Sequence, residues 1–250
     1  MIRVQYIDHS GFLVEMERVY LLFDFDKGEL PKLNQDKKLF VFVSHKHPDH
    51  YNRDIWKLKN LYLDTHFVLS KDVPFSAKQR VLLGISEEDC SKVTRVRAKE
   101  QYCLEGREGQ TVRIAALKST DIGVAYLVYC EGYLIYHAGD LNRWVWKEES
   151  EQWNQDMAEK YSQQLEELQQ ILGGEQISIA FLPVDPRQKE EAFGGICEFL
   201  KKISVKTVFP MHLWGKYEWI ERCIQVVASS VSEAEAKKIV LITKKGQEWA

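Results

Sequence analysis

Short apolar runs, several of them alternating with polar positions, dominate the first half of the chain. They fall at Ile2 to Ile7, Phe12 to Met16, Tyr20 to Phe23, Leu39 to Val43, Phe67 to Leu69 and Thr111 to Leu117. Runs of this length, broken by charged or glycine-bearing turns, predict β-strands. Asp54 to Lys59 predicts a short helix, and residues 73–84 are ambiguous between helix and loop. In the second half, strands are predicted at Val124 to Cys130, Tyr133 to Tyr136, Ile177 to Leu182, Thr207 to Phe209 and Ile239 to Ile242. The clearest helix is Trp153 to Leu172, where Met157, Tyr161, Leu165, Leu168 and Leu172 recur at helical spacing before Gly173-Gly174 ends it. Glu191 to Ile203 and Lys216 to Val227 are further helices. Strands first, then strands alternating with helices, predict an α/β protein with sheets inside and helices outside.

Composition narrows the class. The chain has 250 residues, 45% hydrophobic and 28% charged, which excludes a disordered, collagen-like or coiled-coil chain and is long enough for a core without staples. A formal charge of -3 gives no overall electrostatic reason to bind nucleic acid or an anionic membrane. No apolar run approaches the roughly 18 residues that cross a bilayer, and the N-terminus alternates like a strand instead of following the layout of a signal peptide. The five cysteines are widely spaced with no CxxC, which argues against a disulfide framework or a zinc ribbon. A cytoplasmic protein is expected, with no membrane role and no nucleic-acid role.

Four of the apolar runs stop at a histidine or an aspartate. Leu39 to Ser44 runs into His45-Lys46-His47-Pro48-Asp49-His50, and Tyr133 to Tyr136 into His137-Ala138-Gly139-Asp140. Ile179 to Leu182 runs into Pro183-Val184-Asp185-Pro186-Arg187, and Val208-Phe209-Pro210 into Met211-His212. If these strands share a sheet edge, their polar tips converge, as ligand-binding loops do in α/β folds. The His-x-His-x-Asp-His cluster holds three of the chain's seven histidines. In an extended segment His45 and His47 point to one side, while Pro48 starts a turn that lets Asp49 and His50 face a second position. Two such donor sets suit two metal ions roughly 3.5–4 Å apart. A loop needed only for solubility would more naturally use Lys and Glu. Gly139-Asp140 alone would read as a turn, and His212 alone as a partly buried histidine; beside the cluster both become ligand candidates.

In order, these motifs resemble the metal-ligand motifs of the metallo-β-lactamase fold superfamily over essentially the whole chain. The opening His9 to Glu15, followed by Leu22-Phe23-Asp24, is similar to the first hairpin of the branch that includes ascorbate-6-phosphate lactonase-like proteins. The resemblance implies a four-layer αββα sandwich: one domain over residues 1–250 in two pseudo-symmetric halves, roughly 1–120 and 121–250. It also implies that His45 and His47 hold a first metal, that Asp49, His50 and His212 hold a second, and that Asp140 bridges them. A hydroxide shared by the ions would be the nucleophile, and Asp49 the residue on which catalysis turns. Zn2+ is the expected ion, one or two per chain, with Mn2+ or Fe as alternatives.

One position departs from the family pattern. No histidine occurs between His66 and His137 to complete the first site, and the fitting stretch reads Lys118-Ser119-Thr120-Asp121-Ile122-Gly123. Asp121 is the natural substitute, since carboxylates replace imidazoles in known zinc sites, and it would favour manganese or iron; its alternative role is to cap a turn. Asp185 and Arg187 are expected at the substrate, Arg187 gripping a phosphate or carboxylate; a loop salt bridge made by Asp185 fits equally well. His9 and His137 fit either hydrogen bonds behind the ligands or plain core positions, and Trp144, Trp146 and Trp214 could wall a pocket or simply pack. The expected function is hydrolysis of a small, possibly anionic ester, a phosphodiester or a lactone. The alternative is a non-catalytic metal-binding or ligand-sensing module on the same fold.

Overall fold

The computed structural model describes residues 2–62 and 64–250. Two β-sheets lie face to face. The first has seven strands in the order β13-β1-β2-β3-β4-β5-β6. These are β1 (Arg3–Asp8), β2 (Gly11–Glu15), β3 (Val19–Phe23), β4 (Lys38–Val43), β5 (Thr65–Ser70), β6 (Val93–Val96) and β13 (Glu248–Trp249). The second has six, in the order β12-β11-β10-β9-β8-β7: β7 (Gln101–Glu105), β8 (Thr111–Lys118), β9 (Val124–Cys130), β10 (Tyr133–His137), β11 (Ile177–Pro183) and β12 (Val205–Met211). Helices α1 (Leu58–Leu61), α2 (Ala77–Leu82) and α3 (Glu87–Cys90) follow strands of the first sheet. Helices α4 (Glu151–Leu172), α5 (Gly194–Lys202), α6 (Glu218–Ser230) and α7 (Glu233–Ala236) accompany the second. The architecture is the predicted α/β arrangement of two sheets flanked by helices.

Strand β4 shows how the sequence produces the layers. Phe40 and Phe42 join the core between the sheets, with Phe23, Val68 and Tyr126. Leu39, Val41 and Val43 point the other way, onto Ile55, Trp56 and Leu58. A strand covered on both faces reads as a continuous apolar run, as this one does. Strands β3, β4, β5 and β6 pair in parallel, as do β10, β11 and β12. The carboxyl ends of β3 and β4 therefore share one edge of their sheet, and those of β10, β11 and β12 one edge of theirs. Helix α4 buries Met157, Tyr161, Leu165, Leu168 and Leu172; the Ser150 side chain caps its start by accepting from the Trp153 N–H, and Gly173 ends it at φ 56°.

The chain passes from one sheet to the other between Val96 and Gln101, so β7 and β8 belong to the second sheet. The C-terminal β13 then returns to pair with β1. The structure corrects several expectations. Ile239 to Ile242 is not a strand; it makes one isolated bridge, from Ile239 to Val208. The α-helix expected at Glu191 to Ile203 is shorter, Gly194–Lys202. A 3-10 helix at Pro186–Phe193 precedes α5, its two turns separated by a kink at Lys189, φ 56°. Strands β6, β7 and β13 carry too few apolar residues to have signalled themselves.

Candidate metal centre

The site is assembled where those strand ends meet. Beyond β4, the Ser44 N–H and hydroxyl both donate to the carboxylate of Asp24, at 2.7 and 2.6 Å, from the end of β3. The Tyr126 hydroxyl, reaching across from the second sheet, donates to the Val43 carbonyl at 2.9 Å. Two glycines allow the second sheet to close on this point. A Cβ on Gly123 would lie 2.1 Å from the Ser44 carbonyl oxygen, and one on Gly139 would lie 2.7 Å from Ser44 Cβ. Both glycines also have positive φ, so only glycine passes here without strain.

Two donor groups result: His45, His47 and Asp140, and beside them His9, Asp49, His50 and His212. Within each group one ligand atom per residue lies within 4.8 Å of the others, close enough to hold a metal ion. Asp140 spans the two. Its Oδ2 is 3.3 Å from His45 Nε2, and its Oδ1 is 3.1 Å from His50 Nε2 and 3.5 Å from His212 Nε2. Asp49 Oδ2 lies 3.3 Å from His9 Nε2 and 3.6 Å from His212 Nε2.

The outer ring nitrogens of three imidazoles are held from behind. His50 Nδ1 meets Asp24 Oδ2 at 2.7 Å, and His212 Nδ1 meets Asp185 Oδ2 at 3.0 Å. His45 Nδ1 meets the Ser44 hydroxyl oxygen at 2.9 Å; that hydroxyl already donates to Asp24, so it accepts here. An Nδ1 that donates leaves the Nε2 lone pair for a cation. His9 Nε2, His50 Nε2, His212 Nε2 and Asp140 Oδ1 are all buried without a hydrogen-bond partner among the described residues. Orphaned buried polar atoms are costly, and here all four face the place where a cation would sit. The donor set fits one or two divalent ions of the zinc, manganese or iron type.

Electrostatics agree. Burial opposes the charge on His50, yet Asp140 and Asp24 outweigh it and hold its pKa well above the ordinary value. Burial likewise pushes Asp140 and Asp49 upward, but the surrounding histidines win and both carboxyls are lowered. Asp185 falls to about 2: burial is overcome by its contacts with His212 and Arg187. The site thus keeps its carboxylates ionised and attracts positive charge, as a proton or as a metal cation.

The structure brings His45, His47, Asp49, His50, Asp140 and His212 together and leaves other candidates elsewhere. Asp121 is at the rim, its carboxylate 3.6 Å from His47 Nδ1 with a 42% exposed side chain, outside both donor groups. Asp185 is fully buried behind His212 and makes a loop salt bridge with Arg187. Its oxygens accept from Arg187 Nε at 2.9 and 3.0 Å. This pair occupies the Nε side of the guanidinium and leaves the Nη1–Nη2 edge of Arg187, which lines the cavity, for an oxyanion. His137 is a core residue, its Nε2 on the Ser10 carbonyl at 3.0 Å and its ring stacked on Phe23. Sequence reasoning did not place His9 among the donors, nor Asp24 and Ser44 behind them. The strand-end position of Asp24 was the available signal. His9, Asp24 and His212 all adopt positive φ, a conformation costly for non-glycine residues and concentrated at functional sites.

In front of the donors lies a cavity of about 400 Å³. His47, Asp49, Asp121, Asp140 and His212 line it together with tryptophans and Arg187.

Residues 3–156 match the family described as a beta-lactamase superfamily domain. That is more than half of the chain, and the protein belongs to this family. No curated protein sequence matches it significantly. Among solved structures it is similar to Igni18, described as a novel metallo hydrolase, from Ignicoccus hospitalis, with a TM-score of 0.63 at 17% identity over 99% of this chain and 97% of that one. It is also similar to the metallo-beta-lactamase fold protein YhfI from Bacillus subtilis, with a TM-score of 0.60 at 14% identity over 99% and 98%. A third is CmlA, a diiron beta-hydroxylase from Streptomyces venezuelae, with a TM-score of 0.58 at 10% identity over 92% of this chain but 52% of that one. At such identities the likeness establishes the fold alone.

Proposed function

We propose that the protein is a metal-dependent hydrolase of small ester-like substrates, with phosphodiesters and lactones the favoured classes. The observation that carries this reading is the two adjoining donor groups, with Asp140 of the first also within 3.1 and 3.5 Å of His50 and His212 of the second, and the buried Nε2 atoms of His9, His50 and His212 left unpartnered. His45, His47 and Asp140 would hold one ion, with Asp121 in reach of its outer side. Asp49, His50, His212 and Asp140 would hold the other, with His9 beside it. Bound divalent ions supply an acidified water and a polarised carbonyl or phosphoryl oxygen. Asp49 stays ionised and faces the cavity, and Asp24, Ser44 and Asp185 keep the imidazoles in one tautomer and orientation. Zn2+ is the favoured ion, and the carboxylate at position 121 favours Mn2+ or Fe as alternatives. The lactonase-like branch supplies the preference for a lactone or phosphodiester, and a cytoplasmic location with a small, possibly anionic substrate completes the proposal.

Purified protein should hold stoichiometric metal and hydrolyse bis-p-nitrophenyl phosphate or lactones. Asp49→Ala should lower that turnover by at least about a hundredfold, in line with loss of a metal-ligand network. Protein without metal, or an Asp49→Ala variant as active as the parent, would sink the reading. The exposed rim position of Asp121 favours one alternative, a metal-binding module without turnover. Tight metal binding with no hydrolysis across ester, lactone and phosphodiester panels would establish that alternative.

A further inference from the structure

Much of the cavity lining beside the imidazoles is indole. Trp144, Trp146, Trp153 and Trp214 line the cavity, four of the chain's seven tryptophans. Trp144 and Trp146 lie parallel, their planes 2° apart and their centroids 5.9 Å apart. Trp214 forms a second layer with Arg187, whose guanidinium carbon is 4.5 Å from the Trp214 ring centre and 5.8 Å from that of Trp146. This wall begins at the donor groups: the Trp144 and Trp214 rings are 5.7 and 5.5 Å from the His212 ring.

Ordinary packing does not account for it. Trp214 is 43% exposed, although its ring is among the largest apolar groups a fold can bury. Its backbone is held at φ 54°, a conformation that bulky residues avoid. Two of the rings are also fixed in advance. The Trp214 indole N–H donates to Asp185 at 3.4 Å, and that of Trp144 to the Asp140 carbonyl at 2.9 Å. A rigid exposed aromatic surface beside a reactive centre binds with little ordering cost. The charge of Arg187 is offset by Asp185, and Asp49, Asp121 and Asp140 also line the cavity. Away from the ions, therefore, the wall reads planarity and not negative charge.

We infer that this wall selects esters whose non-reacting part is a planar aromatic group, held against Trp146 and the Trp214–Arg187 layer. The inference rests on the hydrolase reading above and narrows its substrate. In the reaction the oxygen of water bonds to the acyl carbon or phosphorus and the bond to the leaving oxygen breaks. The protons of water end on the released alcohol and acid; the aromatic group stays unchanged.

The test is calorimetric titration of the metal-loaded full chain with phenyl-, cyclohexyl- and methylphosphonate, which share one headgroup and are not hydrolysed. Phenylphosphonate should bind at least tenfold tighter than methylphosphonate and at least threefold tighter than cyclohexylphosphonate. Trp146→Ala and Trp214→Ala should each bring the phenyl-to-cyclohexyl ratio close to one, and Trp214→Phe should keep it. Equal affinities in the parent protein, undetectable phenylphosphonate binding, or a ratio that survives both alanine variants overturns the inference. Turnover of esters and lactones, measured separately, tests the hydrolase reading. Hydrolysis without aryl preference removes only the wall's role, and aryl-selective binding without hydrolysis of any substrate removes only the hydrolase.

Discussion

Behind two of the site's imidazoles stands a carboxylate that solvent barely reaches: Asp24 behind His50 and Asp185 behind His212, 1% and 0% exposed. Each fixes a tautomer and raises the basicity of the nitrogen facing the site. Asp185→Asn removes that negative charge and releases Arg187, so metal affinity should fall roughly 10- to 100-fold, as read by competition with a chromophoric chelator. An unchanged affinity would show that His212 is not a ligand. Gly123 acts through the backbone. Gly123→Ala places a methyl group 2.1 Å from the Ser44 carbonyl oxygen at a positive φ, and should cost at least about 3 kcal/mol of stability, measurable by denaturant unfolding. His45 and Asp49 were legible in the chain because their residue types are rare after an apolar strand. Asp24 and Ser44 were not, because a single aspartate or serine after a strand carries no local mark of what lies behind it.

At the scale of elements, helix α4 and the pairing of β5 with β6 are open to separate measurement. Leu165 is fully buried on the inner face of α4, so Leu165→Ala should destabilise by roughly 2–5 kcal/mol through lost burial and the cavity left behind. His66 on β5 binds the Thr94 hydroxyl on β6 at 2.9 Å. Burial, helped by Lys38, lowers its pKa from 6.5 to about 4. Between those values the unfolded chain binds the proton more strongly, so stability falls as pH drops from 6.5 towards 4, by up to about 3 kcal/mol. Above 6.5 both states are neutral and the contribution is complete. His66→Gln should flatten this part of the stability profile relative to the parent; parallel profiles would refute the assignment. The regular strands and α4 were readable from periodicity alone, since each buries a face with its own period. The end of β12 was not: Val240 donates to the Val208 carbonyl at 2.8 Å, so residues near 239 lie beside a strand without continuing as one.

For the whole molecule, the donor groups join the two sheets. His45, His47, Asp49 and His50 follow a strand of the first sheet, and Asp140 and His212 follow strands of the second. A cation bound between them favours the folded state alone and should raise Tm. At a free concentration of about 100 Kd the gain is about 2.7 kcal/mol, or roughly 5–10 °C for a chain of this size. Chelation should reverse it, and the gain should shrink as pH falls, because histidine ligands must be deprotonated to bind. A Tm indifferent to zinc, manganese and iron would contradict a site between the sheets.

The order of strands and helices, the apolar faces and the chemical character of the strand tips belong to the sequence, because they follow from local periodicity and from residue type. Where the chain changes sheets, which donors lie near Asp140, the position of His9 beside them, and the burial of Asp185 behind His212 all belong to the tertiary structure. Those outcomes depend on parallel pairing across residues far apart in the chain and on glycines that let two loops approach. No window of sequence contains the distance between two strand ends in different sheets.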